Sequence, residues 1–316
     1  MTAQAQMYGD AVQCNGPESA EARRHRYHCG GLAIESELAL PPLRVDATGT
    51  VADIRIRLGK VGPGTAAAAC FRRAQIYEQF RYEVASGSDV VIELLPDAEP
   101  AEVVDLIISR VFTVLFYQRG LLTLHASAVA MPDGLVVICG PSGAGKSTLA
   151  AVLAGRGHPL VADDMLVVGR SGGRFTGSPA AGGLKLSPAS LAAIGRNPAG
   201  LRFANRVEAK YYLPYDAATP PSAPIVRLVQ FRGGPPGVTP LDPVRAAAGS
   251  RHCIRMLDLM HQAPDPAALW RCWLDLVGQA DNLAVSHDGR MDALDAIATA
   301  LEGPCADMPA RLEAYG

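Results

Sequence analysis

The spacing of hydrophobic positions changes character along the chain, and those changes mark out its elements. Over 26–96, short apolar runs alternate with polar residues and turns, as in LAIESEL, ADIRIRLGKV, RRAQIYEQFRYEVAS and DVVIELL. Alternation at period two is the signature of half-buried antiparallel strands, so a small β-rich N-terminal module is expected over 26–96. Residues 1–25 are polar, small and aperiodic, and read as a mobile arm. After Pro96 and Pro100 the period lengthens. In AEVVDLIISRVFTVLFYQRG, residues Val103, Leu106, Ile107, Val111, Val114 and Leu115 fall near one face, and Gly120 closes the run. A helix with so wide an apolar face is expected to be buried, packed under the sheet that follows.

From there to the C-terminus, 97–316, the pattern is mixed. LTLHASAVAM and LVVICG read as two strands joined by the tight PDG connection. A Gly-rich loop follows, then the helix STLAAVLAG ending at Gly155, then a strand over LVADDMLVV. Strand, Gly-rich loop, helix, strand is a βαβ unit, which sets the fold class as α/β. Beyond Gly169 the chain is rich in Gly, Ser and Pro, with a short helix over Pro188 to Ile194 and strands at AKYYLPY and PIVRLVQFRGG. From Asp242 onward helical patterns dominate, in HCIRMLDLMHQ, AALWRCWLDLVGQ and MDALDAIATALEG.

Composition narrows the function classes. The chain has 316 residues, 49% of them hydrophobic and 19% charged, which is a globular balance. A net charge of −2 offers no bulk attraction to nucleic acid or to an anionic membrane. The N-terminus lacks the apolar stretch of a secretory leader, and the most apolar helix is interrupted by Asp105 and Arg110 and too short to span a bilayer. Seven cysteines are scattered without CxxC or zinc spacing, so a soluble, cytoplasmic protein is expected.

The chemistry is carried by G-P-S-G-A-G-K-S at Gly140, Pro141, Ser142, Gly143, Ala144, Gly145, Lys146 and Ser147, followed by Thr148. This satisfies G-x-x-x-x-G-K-[ST] and lies between a β-rich run and a helix, the context the motif requires. Its glycines let successive N–H groups turn inward onto phosphate oxygens. Lys146 supplies a point charge for the β and γ phosphates, and the Ser147 hydroxyl is a Mg²⁺ ligand. ATP and Mg²⁺ are the cofactors implied. Asp163 and Asp164 close the next strand. Adjacent strand residues face opposite ways, so one carboxylate can hold Mg²⁺ and the other can accept a proton from an attacking hydroxyl. A mobile lid over 170–183 would close on a substrate.

The stretch LHASAVAMPDGLVVICGPSGAGKSTLAAVLAGRGHPLVADD resembles the catalytic core of the HPr kinase/phosphorylase family. In that family a His-containing strand, a G-x-S-G-x-G-K-S loop and a G-H-x-L-V-A-D-D segment follow in this order. The L-x-L-H-A-S-A-V opening and the small N-terminal module look closest to the HPr kinase-like proteins of lasso-peptide and other peptide-maturation clusters. The resemblance implies an HPr kinase-like P-loop core with a helical C-terminal region. It implies that Asp164 is the base for a serine-type hydroxyl, Lys146 holds the transferring phosphate, His125 stands beside it, and Ser147 with Asp163 serves the metal. It also suggests a homo-oligomer and a peptide or small-protein partner. The family's E-x-R-G-L-G glutamate is missing; GGLKLSP stands there, with Lys185 as either a phosphate clamp or a solvated lysine. Glu208 and Lys210 are further candidates to approach the site. Three functions remain open at this point: an ATP- and Mg²⁺-dependent serine kinase, a nucleotide-gated peptide-binding protein with little or no transfer, and a small-molecule kinase or carboxykinase-like enzyme.

Overall fold

The computed structural model describes residues 24–62, 70–76, 79–181, 183–205, 209–214 and 222–303. The arm expected over 1–25 lies outside them up to residue 23, and so does Glu208. The described residues form a mixed α/β structure with three sheets among them.

The first sheet contains β1 (His25–Cys29), β2 (Leu32–Ser36), β3 (Arg44–Val45), β4 (Ile54–Leu58), β5 (Cys70–Ile76), β6 (Phe80–Ala85) and β7 (Asp89–Leu94), in the order β3-β1-β2-β4-β7-β6-β5. The alternation does mark half-buried strands: in β4, Ile54 and Ile56 are buried while Arg55 and Arg57 are exposed. It does not reveal strand direction. β4 runs parallel to both β2 and β7, because β3 and the β5–β6 hairpin fill the crossover connections that parallel neighbours need.

The expected long helix is present, but in two pieces. α1 (Pro100–Leu106) passes through a π-turn at Ile107–Val111 into α2 (Phe112–Gln118), and Gly120 follows with φ 69°. Every residue of α2 is buried. One cluster of buried side chains runs from Ile54, Phe80 and Ile92 of the first sheet, through Phe112 and Phe116, to Leu124, Leu135 and Val137 of the second. The helix is apolar nearly all round because both of its sides meet a sheet.

The second sheet is built on β8 (Thr123–Leu124), β9 (Ala126–Met131), β10 (Gly134–Cys139), β11 (Leu160–Ala162), β12 (Leu166–Ser171) and β13 (Arg174–Pro179). β14 (Gly183–Leu186), β15 (Arg202–Asn205) and β16 (Lys210–Pro214) form a small third sheet. β17 (Ala223–Phe231), β18 (Gly237–Pro240) and β19 (Asp281–Ser286) complete the second, whose path is β11-β9-β10-β17-β13-β12-β8, with β19 also on β17. The helix after the Gly-rich loop is α3 (Lys146–Gly155); later helices are α4 (Pro188–Ala193), α5 (Pro243–Ala247), α6 (Ser250–Cys253), α7 (Pro266–Gln279) and α8 (Met291–Glu302). β10 is buried on both faces. Leu135, Val137 and Cys139 join the cluster that contains α2, while Val136 and Ile138 join a second cluster with Leu149 and Leu153 of α3 and Ile297 of α8. Such a strand reads as a continuous apolar run, as LVVIC does.

Several expectations are corrected. LVADDMLVV is not one strand: the chain leaves β9 at Ala162, bends through Asp163–Met165, and joins β13 and β8 on the far side of the sheet. The expected lid over 170–183 is instead mostly sheet. β12 and β13 form a hairpin across Gly172–Gly173, whose φ values of 57° and 78° suit a two-residue turn, and Phe175 is buried. HCIRMLDLMHQ is the short α6 followed by a 3₁₀ segment at Leu257–Gln262, not one helix. DNLAVS, amid helical patterns, is β19, parallel to β17.

These pairings set the site. β10 and β11 are parallel, each antiparallel to the intervening β9, while β17 and β19 continue the parallel set. The carboxyl ends of all these parallel strands therefore lie along one edge, where open α/β sheets bind ligands.

Candidate functional site

The Gly-rich loop leaves the carboxyl end of β10 and enters α3 with Gly145 as the N-cap at φ 96°. Gly140 has φ 152°, and a Cβ there would lie 2.7 Å from Phe231 Cβ, so the loop can lean on β17 only without a side chain. The first N–H groups of α3 have no intrahelical acceptor and open toward the cleft beside the loop. Lys146 is buried and its ammonium donates to the carbonyls of Gly140 (3.0 Å) and Pro141 (2.9 Å), spanning the base of the loop. Burial lowers its pKa from the ordinary lysine value.

Ser142, Gly143, Gly145, Lys146, Ser147 and Thr148 line a cleft of about 510 Å³, whose other walls carry His125, Asp163, Asp164, Lys185, Lys210 and Arg255. Gly140, Pro141 and Ala144 face a second cavity on the opposite side of the loop. The Thr148 hydroxyl donates to Ser190 Oγ at 3.0 Å, and Ser187 caps α4 through the Ser190 N–H.

The two aspartates have different surroundings. Asp163 is buried and accepts three hydrogen bonds: Oδ1 from Ser147 (2.8 Å) and Ser127 (2.6 Å), and Oδ2 from the Lys185 N–H (2.7 Å). Burial pushes its carboxyl pKa up, against the pull of these hydrogen bonds. Ser147 Oγ and Asp163 Oδ1 form an all-oxygen pair of the kind Mg²⁺ takes alongside phosphates and water, so these residues fit that ion. Among the described residues no group of three or more His, Cys, Asp or Glu could cage a metal unaided.

Asp164 sits one residue on with φ 67°, and the Met165 N–H closes a three-residue turn on Asp163 O at 2.8 Å. Such a positive-φ turn is the rarer, strained form, and Asp tolerates it better than most residues. Arg255 grips Asp164 with both terminal nitrogens, 2.8 Å to Oδ1 and 3.2 Å to Oδ2. Lys185 Nζ lies 3.0 Å from Oδ2, and His125 Nε2 lies 3.5 Å from Oδ1. Burial alone would raise the Asp164 pKa; Arg255, then Lys185 and His125, override it and hold the carboxyl well below its ordinary range. The reading of Lys185 as a solvated lysine is overturned, because its side chain is 8% exposed and also pairs with Asp105 Oδ1. Burial opposes the Lys185 charge, but Asp164, Tyr212 and Asp105 together keep the ammonium well above its usual pKa.

Arg255 is itself fixed. Its Nε donates to Ser109 O at 2.9 Å, within the π-turn, and its carbonyl accepts from Tyr117. π-turns inside α-helices recur at functional sites, and this one offers the cleft a backbone acceptor. Sequence reasoning missed Arg255, Ser127 and Tyr212. Arg255 stands in a segment read as an ordinary helix and reaches the site through the fold alone. Asp105 did leave a trace, as an acid interrupting an apolar helix.

His125 lies between β8 and β9, its N–H donating to Cys253 O at 2.7 Å. Burial, aided by Lys146, Arg255 and Lys210 and opposed by Asp164, lowers its pKa to about 4, so the ring is neutral near pH 7. The unfolded chain then binds the proton more readily between about pH 6.5 and 4. Stability from this group is complete above the unfolded value and is lost as pH falls toward the folded one. With the ring 30% exposed, urea unfolding at pH 5 should show wild type losing about 1–2 kcal/mol relative to pH 7 that His125→Gln does not lose. Equal losses in the two proteins would contradict a neutral, partly buried His125.

No family model matches the chain. A stretch of 55 residues, 17% of the chain, is 44% identical to the sn-glycerol-3-phosphate import ATP-binding protein UgpC of Chromohalobacter salexigens, and covers 15% of that protein's length. Among solved structures, the Hpr(Ser) kinase/phosphatase of Coxiella burnetii aligns over 56% of this chain and 86% of its own, with 16% identity and a TM-score of 0.30. No helix among the described residues is long and apolar enough to cross a membrane.

Proposed function

We propose that this chain binds ATP with Mg²⁺ at the Gly-rich loop and transfers the γ-phosphate to a serine-type hydroxyl of a peptide or small protein. The observation that carries the reading is one cleft that holds both the Lys146–Ser147–Asp163 loop cluster and the ionised Asp164. Lys146 and the first N–H groups of α3 hold the phosphates, with Ser147 and Asp163 on the metal. Mg²⁺ supplies charge neutralisation at the phosphate oxygens. Asp164 accepts a hydrogen bond from the acceptor hydroxyl and aims it in line, while neutral His125 and the cation Arg255 flank it. Catalysis of this kind is mostly positioning and electrostatics. The ATP-binding protein that shares 44% identity over 55 residues supports the nucleotide part of the reading. The resemblance of the residues around the loop to peptide-directed HPr kinase-like proteins supports the acceptor class, including a ribosomally made precursor peptide.

A second reading is favoured by one observation: two cations hold the Asp164 pKa down, which weakens it as a proton acceptor. In that reading the chain binds ATP and escorts a peptide without transfer. Titration calorimetry separates nucleotide binding from chemistry. Lys146→Ala should weaken ATP binding by tenfold or more, on the order of 1.4 kcal/mol, and unchanged affinity would remove the loop from the reading. Intact-mass spectrometry of a candidate peptide with the protein, Mg²⁺ and ATP decides between the two. A gain of one phosphate supports transfer; nucleotide-dependent retention of an unmodified peptide supports escort.

A further inference from the structure

The cavity on the other side of the loop has a volume of about 490 Å³ and shares no lining residue with the Asp164 cleft. One wall is the loop itself, at Gly140 and Ala144; the others are Phe231, Arg232, His252 and His287. Phe231 ends β17 and His287 directly follows β19, while the loop leaves β10, so the cavity sits on the carboxyl ends of three adjacent parallel strands. The acids reach the opposite side of the loop from β11, beyond β9. The loop backbone thus stands between a strongly charged cleft and an aromatic one.

The aromatic corner is held rigidly. The Gly289 N–H donates to His287 Nδ1 at 3.0 Å, which leaves the proton on Nε2, and Nε2 donates to Ala144 O at 3.0 Å. The His287 and Phe231 rings meet edge to face, with centroids 5.4 Å apart at 73°. A Cβ on Gly145 would come within 3.0 Å of His287 Nε2, so the loop seats against this ring as it does against Phe231. Arg232 faces the same space, its guanidinium anchored on Gln230 Oε1 and Arg245 O, each at 2.7 Å. Two fixed rings and an anchored guanidinium match a planar heteroaromatic group, which every base presents as a π face. The charged phosphates are matched on the other side.

We infer that this cavity receives the nucleobase of the nucleotide whose phosphates sit at the loop, with Phe231 and His287 contacting the ring. The inference rests on the ATP-binding reading above. It is tested by titration calorimetry of the full chain with Mg²⁺ and either ATP or inorganic tripolyphosphate, which has the phosphates without the base. Two variants are compared. His287→Ala removes one ring, and Ala248→Trp, at an exposed position on the cavity wall, fills its mouth without touching the core. Circular dichroism melts check that both fold. Wild type is expected to bind ATP about tenfold or more tighter than tripolyphosphate. Ala248→Trp should bring ATP down to the tripolyphosphate level while leaving tripolyphosphate binding unchanged, and His287→Ala, which also frees Ala144 O in the loop, should lower ATP affinity by more than it lowers tripolyphosphate affinity. Equal affinity of wild type for the two ligands, or ATP binding undiminished in Ala248→Trp, would overturn the base site while leaving the phosphate site standing. Wild type that binds neither ligand would remove the nucleotide reading and this inference together.

Discussion

Asp164→Asn should reduce phosphate transfer by about 10²–10⁴-fold, the range for losing one positioned acid–base group, while leaving ATP affinity within about twofold. The amide keeps the size of the side chain and an oxygen for Arg255, so the strained turn and the fold survive. What it loses is the negative charge that draws the acceptor hydroxyl into line. Because Arg255 and Lys185 hold the Asp164 carboxyl well below its ordinary range, the group stays ionised to low pH. The transfer rate should accordingly show no acid limb from Asp164 near neutrality; a limb at about pH 6–7 would point to another base. Single-turnover transfer measured from pH 5 to 8, in wild type and variant, examines both claims. Full activity in Asp164→Asn would end the assignment and favour the escort reading.

The second large effect is on stability. Lys185→Met should cost about 3–5 kcal/mol, because it removes the ammonium that Asp105 and Asp164 share in a largely buried site rather than merely removing a contact. The Lys185 side chain is 8% exposed and the Asp105 side chain 9%, so both charges are held largely out of bulk water. Adding Asp105→Asn to Lys185→Met should recover a large part of the loss, since a neutral amide needs no counter-charge. Urea unfolding of the two single variants and the double variant gives the coupling directly. A loss under about 1 kcal/mol in Lys185→Met would mean that the pair does not hold the cleft together. The loss also bears on mechanism, because the Lys185 N–H and ammonium bond Asp163 and Asp164 respectively and set their spacing.

How far the chain could be read from its residues depended on whether a feature was local. The Gly-rich loop, the helix behind it and the paired aspartates were legible because their geometry is set within a few residues. Positive-φ glycines, an N-terminal helix turn and a lysine at fixed offset need no distant partner. The 100–120 helix was legible as well, yet its π-turn was not, since Ser109 O is drawn toward Arg255, 146 residues later. The lid expectation failed because Gly and Ser mark turns and tolerate strands alike. Here Gly177 is flanked by Leu135 and Leu166, and a Cβ at Gly177 would come within 2.8 Å of the Leu135 side chain. That glycine serves close packing of a sheet, not mobility.

Sequence by itself determined the α/β class, the position of the Gly-rich loop, and the presence of two acids after the next strand. Those features rest on periodicity, on backbone freedom at glycine and on fixed short spacings. Tertiary structure decided the electrostatics. It brought Arg255 and Lys185 from separate segments onto the Asp164 carboxylate, with Asp105 as a second acid on the Lys185 ammonium, and it put Phe231 and His287 on the far side of the loop. The physical reason is that charge coupling and ring contact act over a few ångströms in a medium of low polarity, wherever the residues lie along the chain. Strand order chooses which residues share that space, and strand order is settled by packing, which the pattern of any single segment does not encode.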